Sequence, residues 1–435
     1  MNSISDLAER IRTGEVDTEL EEVYTGAVDD HRERLSALAA RFAERFDAPE
    51  VALFSAPGRT ELGGNHTDHN AGRVLAGSVT LDTVAVAAPR NDMTAEVVSE
   101  GFDGVIRVDL TDLEPNEAEH GHPAALIRGV SAFFGDRGHR IGGFSAAVTS
   151  RVGTGSGLSS SASFEVLVAT VLSHLYNGGS LSPVELARAG RRAENHFFGK
   201  PSGLMDQIAC ATGGVVTIDF GDEDAPVVDR IPVSFRDHGY RLFAVDSGED
   251  HADLTPEYAS IVSEMGAVAS FFGADTLRQV AYEQFMRRFP AVRAAAGDRA
   301  VLRALHFFRD NERVRRQSRL LEDGEIESYL AEVRESGSSS WRLLQNCYPA
   351  GAADNQGITV ALALTDEFLA QAEPFPQPPR LRGAARVHGG GFAGTVQAYV
   401  PADRADAYRD TMQGAFGEDA VVELAIRDVG ACRLL

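Results

Sequence analysis

Apolar positions at helical spacing appear first upstream of Val51. Leu35, Leu38, Phe42 and Phe46 follow one another at offsets of three and four in an otherwise charged segment, which predicts a packing helix. Stretches rich in Val and Ala or bounded by glycine predict strands at Thr83–Pro89 and Gly142–Ser150, with shorter ones at Ala95–Val98 and Val105–Leu110. After Gly157 a helix presents Phe164, Val168, Leu172 and Leu175 on one face, with Ser159 or Ser160 placed to cap it. The next helix has the clearest start in the chain: Ser182 as N-cap, Pro183 at the first helical position, Glu185 closing a capping box, and Leu181 with Leu186 as a hydrophobic staple. It runs to about Phe198 and breaks at Gly199 and Pro201. Gly213–Phe220 and Tyr240–Ser247 read as strands, and the acidic, proline-containing stretch Gly221–Pro232 between them as a domain boundary. A largely helical stretch follows from about Glu257 to Leu344. Beyond a second connector at Pro374–Pro379, strands Ala384–His388 and Thr395–Val400, helix Arg404–Phe416 and strand Ala420–Ile426 close the chain. This alternation suggests an α+β second domain, and no internal repeat is present.

Between Ser55 and Gly77 neither period holds. Polar groups from Arg59 to Asn70 are interrupted mainly by Leu62, Gly63 and Gly64, so the stretch reads as a glycine-held loop that binds something polar. A second exception, Gly153–Ala162 (Gly-Thr-Gly-Ser-Gly-Leu-Ser-Ser-Ser-Ala), follows a strand and opens a helix. Such a junction presents free backbone N–H groups and a positive dipole end to an anion, and phosphate is the expected guest. It has neither the Gly-Lys-Ser/Thr ending of a Walker A loop nor the spacing of a dinucleotide fingerprint.

Composition narrows the classes. A chain of 435 residues exceeds the size at which single cores stop growing, so two domains are expected, and an apolar fraction of 43% is ordinary for a globular protein. No apolar run approaches a membrane span and the first residues are acidic, which points to a cytoplasmic protein without membrane partners. A formal charge of −23 argues against wrapping nucleic acid. Cys210, Cys347 and Cys432 are too few and too far apart for a disulfide framework or a zinc site and read as packing residues. Lys200 is the sole lysine among 41 basic residues, a bias read as compositional.

Three further constellations carry chemistry. Glu194 on the well-capped helix and Asp206 beyond its breaking turn suit a metal ligand and a base. His66 and His69 have the His-x-x-His spacing of a metal pair without a second ligand cluster. Gly389–Gly391 joins two strands, either as a tight hairpin or to let the backbone approach a ligand.

Together and in this order the motifs resemble the galactokinases of the GHMP kinase superfamily. The loop from Pro57 is similar to Pro-Gly-Arg…Gly-Glu-His-Thr-Asp-Tyr-Asn, the second motif to Gly-Leu-Ser-Ser-Ser-Ala, and the third to Gly-Gly-Gly-Phe-Gly-Gly. Ala193-Glu-Asn-x-Phe-x-Gly, Met205-Asp-Gln and His251-Ala-Asp-Leu-Thr-x-Glu-Tyr258 add to the match, which spans roughly Ala52 to Val400. The resemblance implies a two-domain α+β fold with the active site between the domains: a helical extension over residues 1–50, an N-terminal domain over 51–232 and a C-terminal domain over 233–435. It implies a monomeric or homodimeric enzyme that transfers phosphate from ATP to the anomeric hydroxyl of galactose, with Asp206 as catalytic carboxylate and Arg59 as its cationic partner. Ser161 and Glu194 would hold Mg²⁺, and Asn65, His66, Asp68 and Tyr258 would face the sugar. Gly155, Ser156, Gly157, Leu158, Ser159, Ser160, Ser161, Ala162, Gly390 and Gly391 would lie against the ATP. The departures are Asn65 for Glu, His69 for Tyr, Ala71 for Gly, Ala393 in the glycine turn, and the absence of a basic pair after Tyr258. Exchanging a charged for a neutral hydrogen bond at Asn65 costs about 1–2 kcal/mol, enough to retune the sugar. A uronic acid kinase and a retired regulator that binds sugar and ATP are the alternative expectations.

Overall fold

The computed structural model describes residues 2–24, 28–153, 157–200, 202–249, 254–351, 353–370 and 382–435. Helices α1 (Ile4–Thr13), α2 (Asp17–Val23) and α3 (Val28–Arg45) precede the first strand. The expected face of α3 is turned inward, with Leu35, Leu38 and Phe42 buried together with Leu7, Ile11 and Leu20 against Leu53, Val84, Val86 and Ala147. The N-terminal extension is therefore a helical layer that covers one face of a sheet.

That sheet contains β1 (Ala52–Gly63), β2 (Arg73–Pro89), β3 (Thr94–Ser99), β4 (Ile106–Asp109) and β5 (Phe144–Ser150). The hairpin of β6 (Val215–Asp219) and β7 (Val227–Ile231) extends it along the first half of β2. The acidic stretch read as a boundary thus contributes a strand, because β7 needs only the edge of β6 and leaves its polar residues in water. On the far face lie α4 (Pro123–Asp136), α5 (Ser160–Asn177), α6 (Pro183–Ala193) and α7 (Met205–Thr212), packed on alternate residues of the strands. The capping box of Ser182 and Glu185 forms as expected, with Pro183 opening α6.

After Ile231 the chain crosses to a four-stranded antiparallel sheet. It is built from β8 (Tyr240–Asp246), β9 (Ala384–Val387), β10 (Thr395–Pro401) and β11 (Val421–Leu424) in the order β11-β8-β10-β9. The helical stretch forms α8 (Thr255–Phe271), α9 (Tyr282–Arg287), α10 (Phe289–Ala296), α11 (Asp298–Glu322) and α12 (Ile326–Ser339). Tyr329, Leu330 and Val333 of α12 pack on one face of this sheet. On the other face sit α13 (Gly357–Leu369) and α14 (Ala405–Phe416). Strand β12 (Cys432–Arg433) then returns to pair with β1 in the first sheet. The connector Pro374–Pro379 lies outside the described residues. Cys210 and Cys347 are buried free thiols and Cys432 is partly buried. Among the described residues no helix is long and apolar enough to cross a membrane.

One charge organises the N-terminal layer. Asp82 of β2 is fully buried and accepts from Arg34 at 2.6 Å, Arg427 at 3.1 Å and the hydroxyl of Tyr24 at 2.6 Å, as well as from Ser55. Burial raises its carboxyl, but Arg34 and Arg427 more than offset this and hold it below its ordinary value. Asp82→Asn leaves two buried guanidinium groups without their counter-charge and is expected to cost about 3–5 kcal/mol in chemical denaturation. A depressed carboxyl contributes its full stability above the unfolded value of about 4, and loses it as pH falls through the lower folded value. The gap between wild type and Asp82→Asn therefore closes on acidification; a gap that stays constant would show that charge is not what Asp82 supplies.

Candidate active site

Half of the polar loop expected after Ser55 is a strand. β1 runs through Arg59 to Gly63 and is buried along its whole length, its polar side chains matched by partners from distant segments. Irregular register at Pro57/Arg59 and Glu61/Gly63 breaks its alternation and re-aims these side chains. Arg59 grips Asp206, in the first turn of α7, with two parallel bonds of 2.7 and 2.8 Å, and also donates to the carbonyl of Gly157. Burial raises the Asp206 carboxyl, but Arg59 and the hydroxyl of Ser159 outweigh it, so this group stays below the ordinary carboxylate range. Cys210, one turn along α7, is a thiol that burial pushes above its usual range.

The start of α5 is built for a ligand. Thr154–Ser156 lie outside the described residues, so Gly155 and Ser156 are not placed. Gly157 has φ +72°, and a Cβ there would stand 2.5 Å from Thr395 Oγ1 and 2.9 Å from His388 Nδ1. Ser159 occupies the cap position with φ 61° and ψ 61°, yet its side chain caps nothing, contrary to the expected role; its hydroxyl goes to Asp206. Without a side-chain cap, the first N–H groups of α5, at Ser160, Ser161 and Ala162, have no intrahelical acceptor and offer an anion site. Leu158 is buried beneath the turn and takes the backbone N–H of Arg59 on its carbonyl at 3.0 Å.

Behind this turn, Glu194 collects three donors: Ser161 Oγ at 2.8 Å and Lys200 Nζ at 2.8 Å on one oxygen, and Gln207 Nε2 at 3.0 Å on the other. Gln207 also reaches Glu165 at 3.1 Å. Glu165 is buried beside a second carboxylate, and burial followed by the charge of Glu194 pushes it well above the ordinary range. No group of three or more His, Cys, Asp or Glu side chains among the described residues would hold a metal alone. A carboxylate oxygen 2.8 Å from a hydroxyl nevertheless fits Mg²⁺, which takes few protein oxygens and completes its shell from phosphates and water. That the same oxygen already attracts an ammonium supports a cation site.

A third group surrounds the glycine turn between β9 and β10. His66, at φ 57°, donates through Nε2 to the carbonyl of Gly390 at 2.9 Å, and burial followed by neighbouring His69 lowers its ring to about 4. The His66 and His69 rings stack at 5.7 Å and belong to no metal-holding cluster among the described residues. Tyr258 donates to Gly391 at 2.9 Å, and a Cβ on Gly390 would meet its ring at 2.3 Å. The turn closes the β9–β10 hairpin and sets its backbone against the side chains of His66 and Tyr258. Gly390 and Gly391 touch the His66 and Tyr258 side, and the link to the turn before α5 runs through Gly157, His388 and Thr395. Asp68 is mostly buried and lies where a Cβ on Gly203 would strike its carboxylate. His251–Asp253 of the Tyr258 motif lie outside the described residues.

Asn65, expected to face a sugar, is fully buried. Its amide donates to Glu61 at 3.1 Å and to the carbonyl of Gly389 at 2.7 Å, and accepts from Ser340 at 3.2 Å and Asn346 at 2.8 Å. Its backbone is bound to Asp310 and His306. Sequence reasoning passed over Glu61, which pairs with Arg386 of β9, and His388, which accepts from the backbone N–H of Glu61 at 3.1 Å. Glu61 stands inside the polar stretch, whereas Arg386 lies in the otherwise apolar strand β9 and His388 directly follows it, where neither leaves a signal.

Comparison with known proteins bears on the same residues. The galactokinase galactose-binding signature matches residues 40–89 and the GHMP kinases N terminal domain matches residues 125–214. A galactokinase of Streptomyces coelicolor is 30% identical over 408 residues, covering 91% of this chain and 97% of that protein. One of Streptococcus suis is 28% identical, covering 88% and 93%. In fold, the chain is similar to Lactococcus lactis galactokinase complexed with galactose (TM-score 0.78, 24% identity, covering 92% and 99%) and, more distantly, to a mevalonate kinase (TM-score 0.59, 14% identity, covering 86% and 99%). The signature falls on the strand and loop that carry Arg59 and His66, and identity runs through nearly the whole length: the chain belongs to the galactokinase family, within the GHMP kinase superfamily.

Proposed function

We propose that this protein transfers the γ-phosphoryl group of ATP to the anomeric hydroxyl of galactose, giving galactose 1-phosphate. The observation that carries the reading is the two-pronged Arg59–Asp206 pair bonded to Ser159 at the open N-terminus of α5. Phosphoryl transfer needs positioning and charge neutralisation more than covalent chemistry. The first N–H groups of α5 receive phosphate oxygens, and Arg59 stands beside the reacting oxygen. Asp206 orients the acceptor hydroxyl and takes its proton late, since a carboxylate held below its ordinary range is a weak base. Mg²⁺, held by Ser161 and Glu194, supplies further charge neutralisation on the phosphates when bound. His66, Asp68 and Tyr258 line the sugar side, where neutral His66 is a hydrogen-bond donor and not a cation. In this reading the chain divides at 51–232 and 233–435, residues 427–435 packing back on the first part, with the site between the two.

The uronic acid alternative drew on Asn65 leaving the sugar pocket without a carboxylate. With its amide satisfied inside the protein, Asn65 is not the group that meets the C6 substituent, and galactose is the reading we retain. A retired regulator has no use for an assembled Arg59, Ser161, Glu194 and Asp206.

A coupled ADP-release assay across a panel of hexoses and uronic acids tests the assignment, with galactose the fastest substrate; a uronic acid in first place overturns it. Asp206→Asn or Arg59→Ala lowers kcat by about 10²- to 10⁴-fold with a much smaller change in ATP affinity, and near-normal turnover in either variant removes the pair from the mechanism. Asn65→Glu sets a second carboxylate against Glu61 and removes the bond to Gly389. It is expected to destabilise the protein by about 2 kcal/mol or more and to weaken galactose binding, both measurable by thermal melting with and without the sugar. A gain in galactose affinity would show that position 65 does face the substrate.

A further inference from the structure

The single lysine of this chain stands beside the first turn of α5. Lys200 follows a π-type turn, Glu194–Phe198, and Gly199, whose φ of +86° reverses the chain. Its backbone N–H donates to the carbonyl of Glu194 at 3.1 Å, and its ammonium returns to the carboxylate of the same residue at 2.8 Å. Asn195 fixes the other side of the loop, accepting from the backbone N–H of Ser202 at 2.7 Å and from its hydroxyl at 3.0 Å. The turn is thus held by a backbone bond and by the Asn195 side chain, and the ammonium sits on Glu194.

That place is defined by Glu194 Oε1, which Lys200 shares with the hydroxyl of Ser161 in the first turn of α5. The ammonium and the side chain of Ser161, a residue of the anion-binding first turn of α5, thus meet on one carboxylate oxygen. Glu194 is almost wholly buried, while the lysine side chain is 60% exposed and reaches outward from it. An ammonium has three donors, and among the described residues only the one to Glu194 is used. A compact charge with freely rotating donors suits a bridge between a carboxylate and a moving phosphate oxygen, which the rigid fork of arginine does not. The charge balance also calls for it: Asp206 and Glu194 oppose an incoming triphosphate, and Arg59 is already committed to Asp206 with two bonds.

We propose that Lys200 is a phosphate-binding residue of this active site, its ammonium bridging the Glu194 carboxylate and the terminal phosphate of the nucleotide. The proposal rests on the kinase reading above and adds a protein cation to the charges that reading requires. The rival role, in which Lys200 only neutralises Glu194, predicts that any loss of ATP affinity in Lys200→Met is undone when Glu194→Gln is added to it.

Calorimetric titration of ATP and ADP in EDTA, with wild type, Lys200→Met, Lys200→Arg and Lys200→Met combined with Glu194→Gln, separates the two. Loss of a charge-assisted bond to the terminal phosphate weakens ATP about 10- to 100-fold in Lys200→Met and leaves ADP little changed. Lys200→Arg recovers part of the ATP affinity, and both single variants bind galactose as wild type does, which shows that they are folded. Equal losses for ATP and ADP, or none, or a loss undone by adding Glu194→Gln, overturn the assignment of Lys200 while the kinase reading stands. Failure of the wild type itself to bind ATP, with or without Mg²⁺, overturns the kinase reading first.

Discussion

A buried ion pair between the two sheets sets the geometry on which the site depends. Glu61 of β1 and Arg386 of β9 meet with almost no exposure, and both belong to a polar seam in an otherwise apolar contact. Gln397 donates to Thr60 at 2.6 Å, and His388 accepts the backbone N–H of Glu61. With its Nε2 lone pair so used, His388 carries its proton on Nδ1 and donates to Thr395 at 2.9 Å; burial, then Arg59 and Arg386, keep the ring neutral. Such a pair adds little net stability, since desolvation cancels most of its attraction, but separating it strands a charge and is strongly unfavourable. The seam therefore acts against alternatives: it fixes Arg59, two residues before Glu61, relative to Gly157 and the glycine turn.

Within that frame the charges sort by environment. Asp206 is held ionised by Arg59, Glu165 is pushed toward its neutral form by burial and by Glu194, and His66 and His388 stay neutral. A cleft that receives a polyanion is thus left with few uncompensated negative groups, even though the chain as a whole carries a formal charge of −23. Gln207 stands as a neutral bridge between the buried carboxylates of Glu165 and Glu194.

Features set by neighbours in the sequence were legible, and features set by distant partners were not. Ser182, Pro183 and Glu185 announce α6 because a capping box is complete within four residues. β1 was hidden because Arg59, Thr60 and Glu61 are buried by partners as remote as Asp206, Gln397 and Arg386, so that polar letters mark interior positions. The burial of Asn65 is hidden for the same reason: Ser340 and Asn346, which enclose it, carry no signal linking them to a loop near residue 65. Ser159 looked like a cap because it precedes a helix, yet its left-handed backbone turns the hydroxyl to Asp206. Arg59, Ser161, Glu194 and Asp206 stand out in the sequence because glycines and helix ends crowd around them, and the structure joins Arg59 to Asp206, Asp206 to Ser159 and Ser161 to Glu194 at the start of α5. Lys200 was visible as a count and acquired a meaning only from its place.

The cluster around Asp82 has a consequence for the order of synthesis. Tyr24 and Arg34 leave the ribosome before Asp82, whereas Arg427 and the β12 strand follow only after the whole second sheet has been made. Throughout elongation the nascent first sheet holds a buried carboxylate matched by one guanidinium in place of two, and β1 presents an uncovered edge where β12 will pair. The helical layer before β1 is then more than a lid: it carries Arg34 and Tyr24, the partners of Asp82 that need nothing from the distal segment.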